Sequence, residues 1–197
     1  MKLFVLGAFA LTLLGAGQAA AQAQGPRTPG PVIPGVCVFH NDRLLAQSTV
    51  GISVRDGMRR LTDEVVGELQ PYAQAIQTEI AALQAGQGTI PAAEFAQREE
   101  ALQQRIQEGQ QLEQVRQQEL SYTLDQQRQL IAQAVDPILV ALYQERGCGL
   151  LLAREAVIEF NPAMDITDEA IRRLNSQLPS LSFNRMTPPV QVQGRGQ

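Results

Sequence analysis

Cys37, His40 and Asp42 are the residues of this sequence whose types and spacing suggest covalent chemistry. A cysteine thiolate beside an imidazole that a carboxylate orients forms a nucleophile with its general base. Cys37 and His40 are too close along the chain, at the end of a predicted strand, for their spacing to indicate this geometry. His40 is the only histidine, which leaves few ligands for a metal site. We therefore predict no catalytic residues, no metal site and no cofactor.

The amino terminus has the pattern of a secretory signal peptide. Lys2 is followed by a largely apolar run, 3–14, and by an alanine-rich stretch, 19–21, that suits cleavage. The apolar run is too short to span a bilayer as a stable helix, although a retained membrane anchor is the alternative. We predict that residues 1–23 are the signal peptide and that the rest of the chain is exported.

Cys37 and Cys148 are the only cysteines of the chain. An even number of cysteines in an exported protein favours a disulfide. Each cysteine lies in or beside a predicted strand, and these two strands could become neighbours across a long helical connection. Two separate thiols, reduced or buried, are the alternative that the sequence leaves open.

Residues 54–146 are predicted to form two long helices folded into a hairpin. Apolar residues recur at steps of three and four, which places them on one narrow stripe of each helix, as in a coiled coil. The stripes comprise Met58, Leu61, Val65, Leu69, Tyr72, Ile76, Ile80 and Leu83, then Phe95, Leu102, Ile106, Leu112, Val115, Leu120, Leu124, Ile131 and Ile138. Two glycines and a proline in 85–91 supply the turn. The remaining faces are rich in Gln and charged residues, so the hairpin should project into solvent.

Gly67, Pro71 and Gly109 weaken the helical pattern part-way along the two arms. One hypothesis is that they let the arms bend or splay. The other is that a long hairpin tolerates them without any functional consequence.

The flanking segments 36–53 and 147–178 are predicted to form a small body with short helices and three short strands. The strands are expected at 36–39, 150–153 and 157–160. Because a sheet of three short strands is marginal alone, we expect the body to pack against identical copies. The expected contact residues are Val36, Val38, Leu150, Leu152, Val157 and Ile158.

Both ends of the exported chain have a composition that is typical of unfolded segments. Residues 24–35 contain four prolines and three glycines, and they are predicted to be a disordered leader. Residues 179–197, which include Pro188, Pro189 and two late glycines, are predicted to be a disordered tail.

The order of these elements resembles the Skp/OmpH family of periplasmic chaperones. The stretches that carry the resemblance are the strand at 36–39, the Gly-Cys-Gly-Leu-Leu-Leu run at 147–152, and Asp165-Ile166-Thr167-Asp168-Glu169 followed by Ile171 and Leu174. The resemblance implies an α+β fold in which a β-sheet trimerisation body carries protruding helical hairpins, or coiled-coil tentacles, around a cavity. It also implies a periplasmic homotrimer that holds unfolded outer-membrane proteins without ATP.

The hairpin surface is where such a protein would contact its clients. The candidates are three apolar residues outside the packing stripe and three within it: Val66, Tyr122 and Leu130, then Tyr72, Ile76 and Phe95. The alternative function is an envelope coiled-coil scaffold with one specific protein partner. The chain carries 16 basic and 20 acidic residues without a basic cluster, which argues against nucleic acid and predicts weak or absent membrane association.

Overall fold

The computed structural model describes residues 30–189, in which a long helical hairpin rises from a small base. The elements are β1 (Val36–Phe39), α1 (Asn41–Gln47), α2 (Thr49–Gly86), α3 (Ala92–Glu145), β2 (Leu150–Ala153) and α4 (Thr167–Gln177), with 3₁₀ turns at Arg154–Ala156 and Pro162–Met164. This arrangement confirms the predicted α+β class with a helical hairpin. The predicted signal peptide, residues 24–29 of the leader and residues 190–197 of the tail lie outside the described residues.

The two arms of the hairpin are α2 and α3, which pack along the predicted stripe. Leu61, Val65 and Leu83 of α2 are buried between the arms, as are Leu102 and Ile131 of α3. The stripe is narrower than the sequence predicted, because Tyr72, Ile80 and Val115 are exposed. Within residues 30–189, no helix has the length and apolar content needed to cross a membrane.

Both arms run without interruption through their prolines. Pro71 lies inside α2 and Pro137 inside α3, and both are exposed. A side chain at Gly67 would meet nothing within 4 Å, and one at Gly109 would come no closer than 3.8 Å to Ile76. Since neither glycine is required by close packing, the hinge hypothesis stays a prediction.

The first arm begins earlier than residue 54, which was the predicted boundary. Ser48 is fully buried and caps α2, because its Oγ accepts a hydrogen bond from the backbone N–H of Gly51 at 3.1 Å. The cap starts the helix at Thr49, directly after α1. Val50 and Val54 therefore lie on the first turns of the arm and belong to the core of the base.

The base contains two strands within the described residues, and the predicted strand at 157–160 is wrong. β1 and β2 pair in parallel, with Val36 opposite Leu150. After β2 the chain enters a 3₁₀ turn, where the Arg154 guanidinium donates to the carbonyl oxygen of Val157 and lies over the Phe160 ring. These contacts fold the segment onto itself instead of extending it along the sheet.

The core of the base lies on one side of this small sheet. Cys37 and Leu151 point to that side and pack against the lower ends of the arms and against α4. Leu44, Leu142 and Leu174 are fully buried there. The core thus joins α1, both arms and α4 into one unit that holds the hairpin.

A disulfide joins Cys37 of β1 to Cys148, just before β2. Their Cα atoms are 5.8 Å apart, a normal separation for a disulfide. The two cysteines are 111 residues apart in sequence, so the closed loop contains the whole hairpin.

We expect reduction of this disulfide to lower the melting temperature. The chain-entropy model gives up to about 5 kcal/mol for a loop of this length, because the cross-link restricts the unfolded chain. Thermal denaturation followed by circular dichroism, with and without reductant, measures the effect. The control is the variant with Cys37→Ser and Cys148→Ser, whose melting temperature should not respond to reductant. Equal melting temperatures for the oxidised and reduced protein would contradict the prediction.

Candidate functional site

The residues first considered for covalent chemistry do not assemble a nucleophile. The sulfur of Cys37 is bonded to Cys148, so it is not available as a thiolate. The His40 imidazole lies on the surface, with its Nε2 3.6 Å from a carboxylate oxygen of Glu155. Ligand atoms of His40, Asp42 and Glu155 lie within 4.8 Å of one another, but both carboxylates are exposed. Nothing further in residues 30–189 points to a ligand there.

The face of the sheet that turns away from the core is apolar. Val36, Val38 and Leu152 lie on it and line a groove of about 630 Å³ together with Val157. Leu150 is 50% exposed beside it, and Ile158 is 91% exposed. Of the six residues predicted for assembly, Val38 is not available as a contact, because its own chain already buries it to 1% exposure. The other five leave an apolar surface at the base.

Residues 30–35 help to form this surface and are not the isolated leader that was predicted. The carbonyl oxygen of Gly30 accepts a hydrogen bond from the Asn161 side chain at 2.7 Å. Gly35, at a φ of +76°, presents its carbonyl oxygen to the backbone N–H groups of Gly149 and Leu150. The segment is therefore tied to the body just before β1.

The six residues predicted to contact clients do not form one patch. Val66 is 61% exposed, and Tyr72 and Leu130 are also exposed. Ile76 and Phe95 are half-buried between or beside the arms, and Phe95 lines a shallow groove near the hairpin tip. Tyr122 lies elsewhere, next to the last described residues of the chain, Pro188 and Pro189.

The segment after α4 is ordered to residue 189, so the disordered tail predicted from 179 is wrong up to that point. It contains no helix or strand and runs along the hairpin from the base. Leu181, Phe183 and Arg185 are half-buried, whereas Ser182, Asn184 and Met186 are exposed. This alternation is that of an extended chain with one face against a surface.

The surface under the tail belongs to both arms, and we call it the tail groove: Ser53, Gly57 and Arg60 of α2, with Glu119 and Thr123 of α3. Residues 53, 57 and 60 share one helical face. Gly57 forms a notch for Phe183, since a Cβ at this position would lie 2.7 Å from the phenylalanine ring. Any residue larger than glycine at position 57 would therefore require the Phe183 ring to move.

Hairpin side chains hydrogen-bond the backbone of the tail at three points. The Leu181 N–H donates to Ser53 Oγ at 3.0 Å, and the Met186 N–H donates to Thr123 Oγ1 at 2.8 Å. Between them, the Arg60 guanidinium donates to the Phe183 carbonyl oxygen at 2.8 Å. The tail is thus bound through its backbone as well as through its side chains.

An ionic network connects the tail to both arms. Arg185 donates to Glu68 of α2 at 2.7 Å and pairs with Glu119 of α3 at 3.0 Å. Arg116 contacts the same two carboxylates at 2.7 and 3.0 Å. Two guanidinium groups and two carboxylates therefore alternate, which offsets the cost of burying Glu119.

The pKa of Glu68 reflects this network. The hydrogen bond from Arg185 is the largest effect and holds the pKa of Glu68 below its ordinary value, with a further contribution from Arg116. Burial acts in the opposite direction and is outweighed. Glu68 therefore stays ionised, and bound to the tail, below the pH at which a free glutamate takes up its proton.

The tail groove was missed at the sequence level because its residues look like ordinary solvated positions. Glu119, Thr123 and Gln127, spaced four residues apart on α3, are buried despite their polarity. The available signal was twofold: small or polar residues at 53, 57 and 60 on one helical face, and the alternation of Leu181, Phe183 and Arg185. The face on α2 does not indicate that the tail covers it, and the alternation in the tail does not indicate the surface against which it packs.

Comparisons with known proteins agree with this architecture. The family described as outer membrane protein (OmpH-like) matches residues 35–174. A crystal structure of a candidate outer membrane chaperone, OmpH-like, from Caulobacter crescentus CB15 is similar, with 33% sequence identity and a TM-score of 0.73. The similarity covers 84% of this chain and 98% of that chain. A comparison with curated proteins found no match.

We expect the stability contributed by Arg185 to decrease in acid. Because the pKa of Glu68 is lowered on folding, its ion pair contributes above the ordinary value of 4.5 and is lost as the pH falls through the folded pKa. Urea denaturation of the wild type and of Arg185→Gln should give a larger difference in the free energy of unfolding at pH 7 than at about pH 3. Arg59→Gln, an exposed change on α2, is the control. A difference that does not change with pH would contradict the assignment.

Proposed function

The chain belongs to the OmpH-like family, and from that premise we propose that it is an ATP-independent periplasmic chaperone for unfolded outer-membrane β-barrel proteins. It holds these clients and prevents their aggregation on the way to the outer membrane. A chaperone role is what the family and the similar structure support. The client class, the compartment and the assembly state are our proposals.

The observation that carries the proposal is the surface of the hairpin. Its exposed apolar side chains, such as Val66, Tyr72 and Leu130, are scattered over a surface rich in Gln and charge. Contacts of this kind are weak, distributed and non-directional, because each buries a small apolar area. An unfolded barrel strand alternates apolar and polar residues, so scattered contacts can shield it without binding it irreversibly.

A homotrimer is the assembly that we propose for the working protein. Support comes from Leu150, which is exposed on the apolar outer face of the sheet, and from Ile158, which is exposed a few residues after β2. A parallel sheet of two four-residue strands is too small to be stable by itself. Packing this face against identical copies would remove the apolar surface from water and would place the hairpins around a common cavity.

The proposed compartment is the periplasm, and the amino-terminal sequence and the two cysteines support it. Residues 1–23 have the pattern of a signal peptide. The Cys37–Cys148 disulfide fits an oxidising compartment such as the periplasm. Because the chain has a formal net charge of −4, we propose neither nucleic-acid binding nor strong membrane association.

The test of the proposed function is an aggregation assay. A urea-unfolded β-barrel outer-membrane protein is diluted into buffer containing increasing amounts of the wild type, and light scattering follows its aggregation. We expect suppression without ATP. The double variant Val66→Asp with Leu130→Asp should protect less, because a charge in place of an exposed apolar side chain removes a hydrophobic contact.

The matched control carries the same added charge at exposed polar positions of the same arms, as Gln70→Asp with Gln129→Asp, and should protect like the wild type. Failure of the wild type to suppress aggregation would overturn the chaperone proposal. Tight binding to one native protein, without any effect on the aggregation of unfolded barrels, would favour the scaffold function.

Light scattering coupled to size exclusion tests the trimer. We expect three times the mass of the exported chain for the wild type and a lower mass for Ile158→Asp, because packing a charge into an apolar interface is costly. Val140→Asp replaces an equally apolar, exposed residue of α3 and should leave the mass unchanged. A monomeric mass for the wild type at micromolar concentration would exclude the trimer.

A further inference from the structure

The tail lies in its groove in the conformation that an unfolded barrel strand would adopt. Residues 181–186 are extended, with alternate side chains turned to the hairpin and to solvent. Transmembrane strands of outer-membrane barrels have the same alternation, with every second side chain apolar. The tail presents Leu181 and Phe183 in this way and then the cation Arg185.

The groove recognises features that any extended chain possesses. Ser53, Arg60 and Thr123 bind backbone N–H and carbonyl groups of the tail, which do not depend on its sequence. The notch at Gly57 accepts an apolar ring. Backbone hydrogen bonds combined with alternate side-chain contacts are the general way in which proteins bind extended peptides.

The tail does not satisfy every polar group in this region. Nη1 of Arg185 and Nε2 of Gln127, one helical turn from Thr123, are buried and have no hydrogen-bond partner within residues 30–189. Buried donors without an acceptor are costly. With the tail bound, the Gln127 amide nitrogen has no acceptor within residues 30–189.

The tail is also held by contacts that can be released locally. As far as residue 189, it forms no strand pairing with the body and contributes no residue to a regular element after α4. Its ionic anchor is partly open to solvent, with the Glu68 side chain 38% exposed. A segment at the surface with half-buried side chains and no secondary structure opens at a lower free-energy cost than the core.

We propose that the tail groove is a binding site for an extended polypeptide with alternating apolar residues, and that the tail is its intramolecular competitor. This inference rests on the proposed function, since the polypeptide that displaces the tail is a segment of the unfolded client. While the tail is bound, the groove is closed to weak ligands. A client already held by the exposed hairpin residues reaches a high local concentration and replaces the tail.

The competition has a measurable consequence. The apparent affinity of the groove is its intrinsic affinity multiplied by the fraction of molecules in which the tail is released. Phe183→Ser removes the apolar anchor and leaves the groove intact, so it should increase that fraction. We expect about tenfold tighter binding of an added peptide, given the apolar area that Phe183 loses on release.

The probe is a fluorescent synthetic peptide with the sequence of residues 179–189, and its anisotropy is measured against the full-length protein. It should bind Phe183→Ser about tenfold more tightly than the wild type. The matched control is Ser182→Ala with Asn184→Ala, which changes the two neighbouring side chains that face solvent and should bind like the wild type. Adding Gly57→Leu to Phe183→Ser fills the notch and should abolish the gain, whereas adding Gly67→Ala, where a side chain meets nothing, should preserve it.

Equal peptide binding by the wild type and Phe183→Ser, or a gain that survives Gly57→Leu, would overturn the inference and leave the tail as a structural brace. The aggregation assay separates this result from the proposed function. A wild type that protects barrels while no variant binds the peptide more tightly refutes the competitor alone. A wild type that protects no barrel refutes the chaperone function, whatever the peptide does.

Discussion

The middle of this hairpin depends on keeping one carboxylate paired between its two arms. Glu119 is buried on α3, and an unpaired charge at such a position would be strongly destabilising. Arg116 comes from the same helix and Arg185 from the tail, and both reach Glu119 and Glu68. The two arms therefore meet through apolar side chains below and above this point and through paired charges at it. The tail is part of the hairpin because it supplies half of the positive charge.

The base solves a different problem, which is to hold two long arms with a small core. The core occupies one side of a two-stranded sheet and includes the first turns of α2, the last turns of α3 and α4. The disulfide joins Cys37 to Cys148 on either side of the hairpin, so the two chain segments that lead into and out of the arms stay linked. The other side of the sheet is apolar, and Leu150 is half exposed there. This apolar surface is where we propose that identical copies pack.

The proposed chaperone function requires recognition without sequence specificity, which has to use features that all unfolded clients share. Scattered apolar side chains on the arms use the hydrophobic effect, which has no preferred direction. The tail groove adds donors and acceptors for a peptide backbone, together with one notch for an apolar side chain. Both features favour an unfolded chain over a folded protein, whose backbone groups are already paired and whose apolar residues are buried. If the tail competes for the groove as we propose, it would keep the groove closed to ligands that bind more weakly than the tail.

The sequence alone determined the features that depend on local periodicity and composition. The hairpin, its turn, the first two of the three predicted strands and the α+β class follow from apolar spacing and from turn residues, which act between positions a few residues apart. Tertiary structure decided the rest. Contacts across 63 residues from Met186 to Thr123, and across 117 from Arg185 to Glu68, order a tail whose composition predicted disorder. The burial of Val38 likewise depends on neighbours that are distant in sequence. The turn in place of a strand at 157–160 depends on the side-chain contacts of Arg154. From the sequence, polar residues such as Glu119 and Thr123 are expected to be solvated, because the sequence does not reveal the segment that covers them.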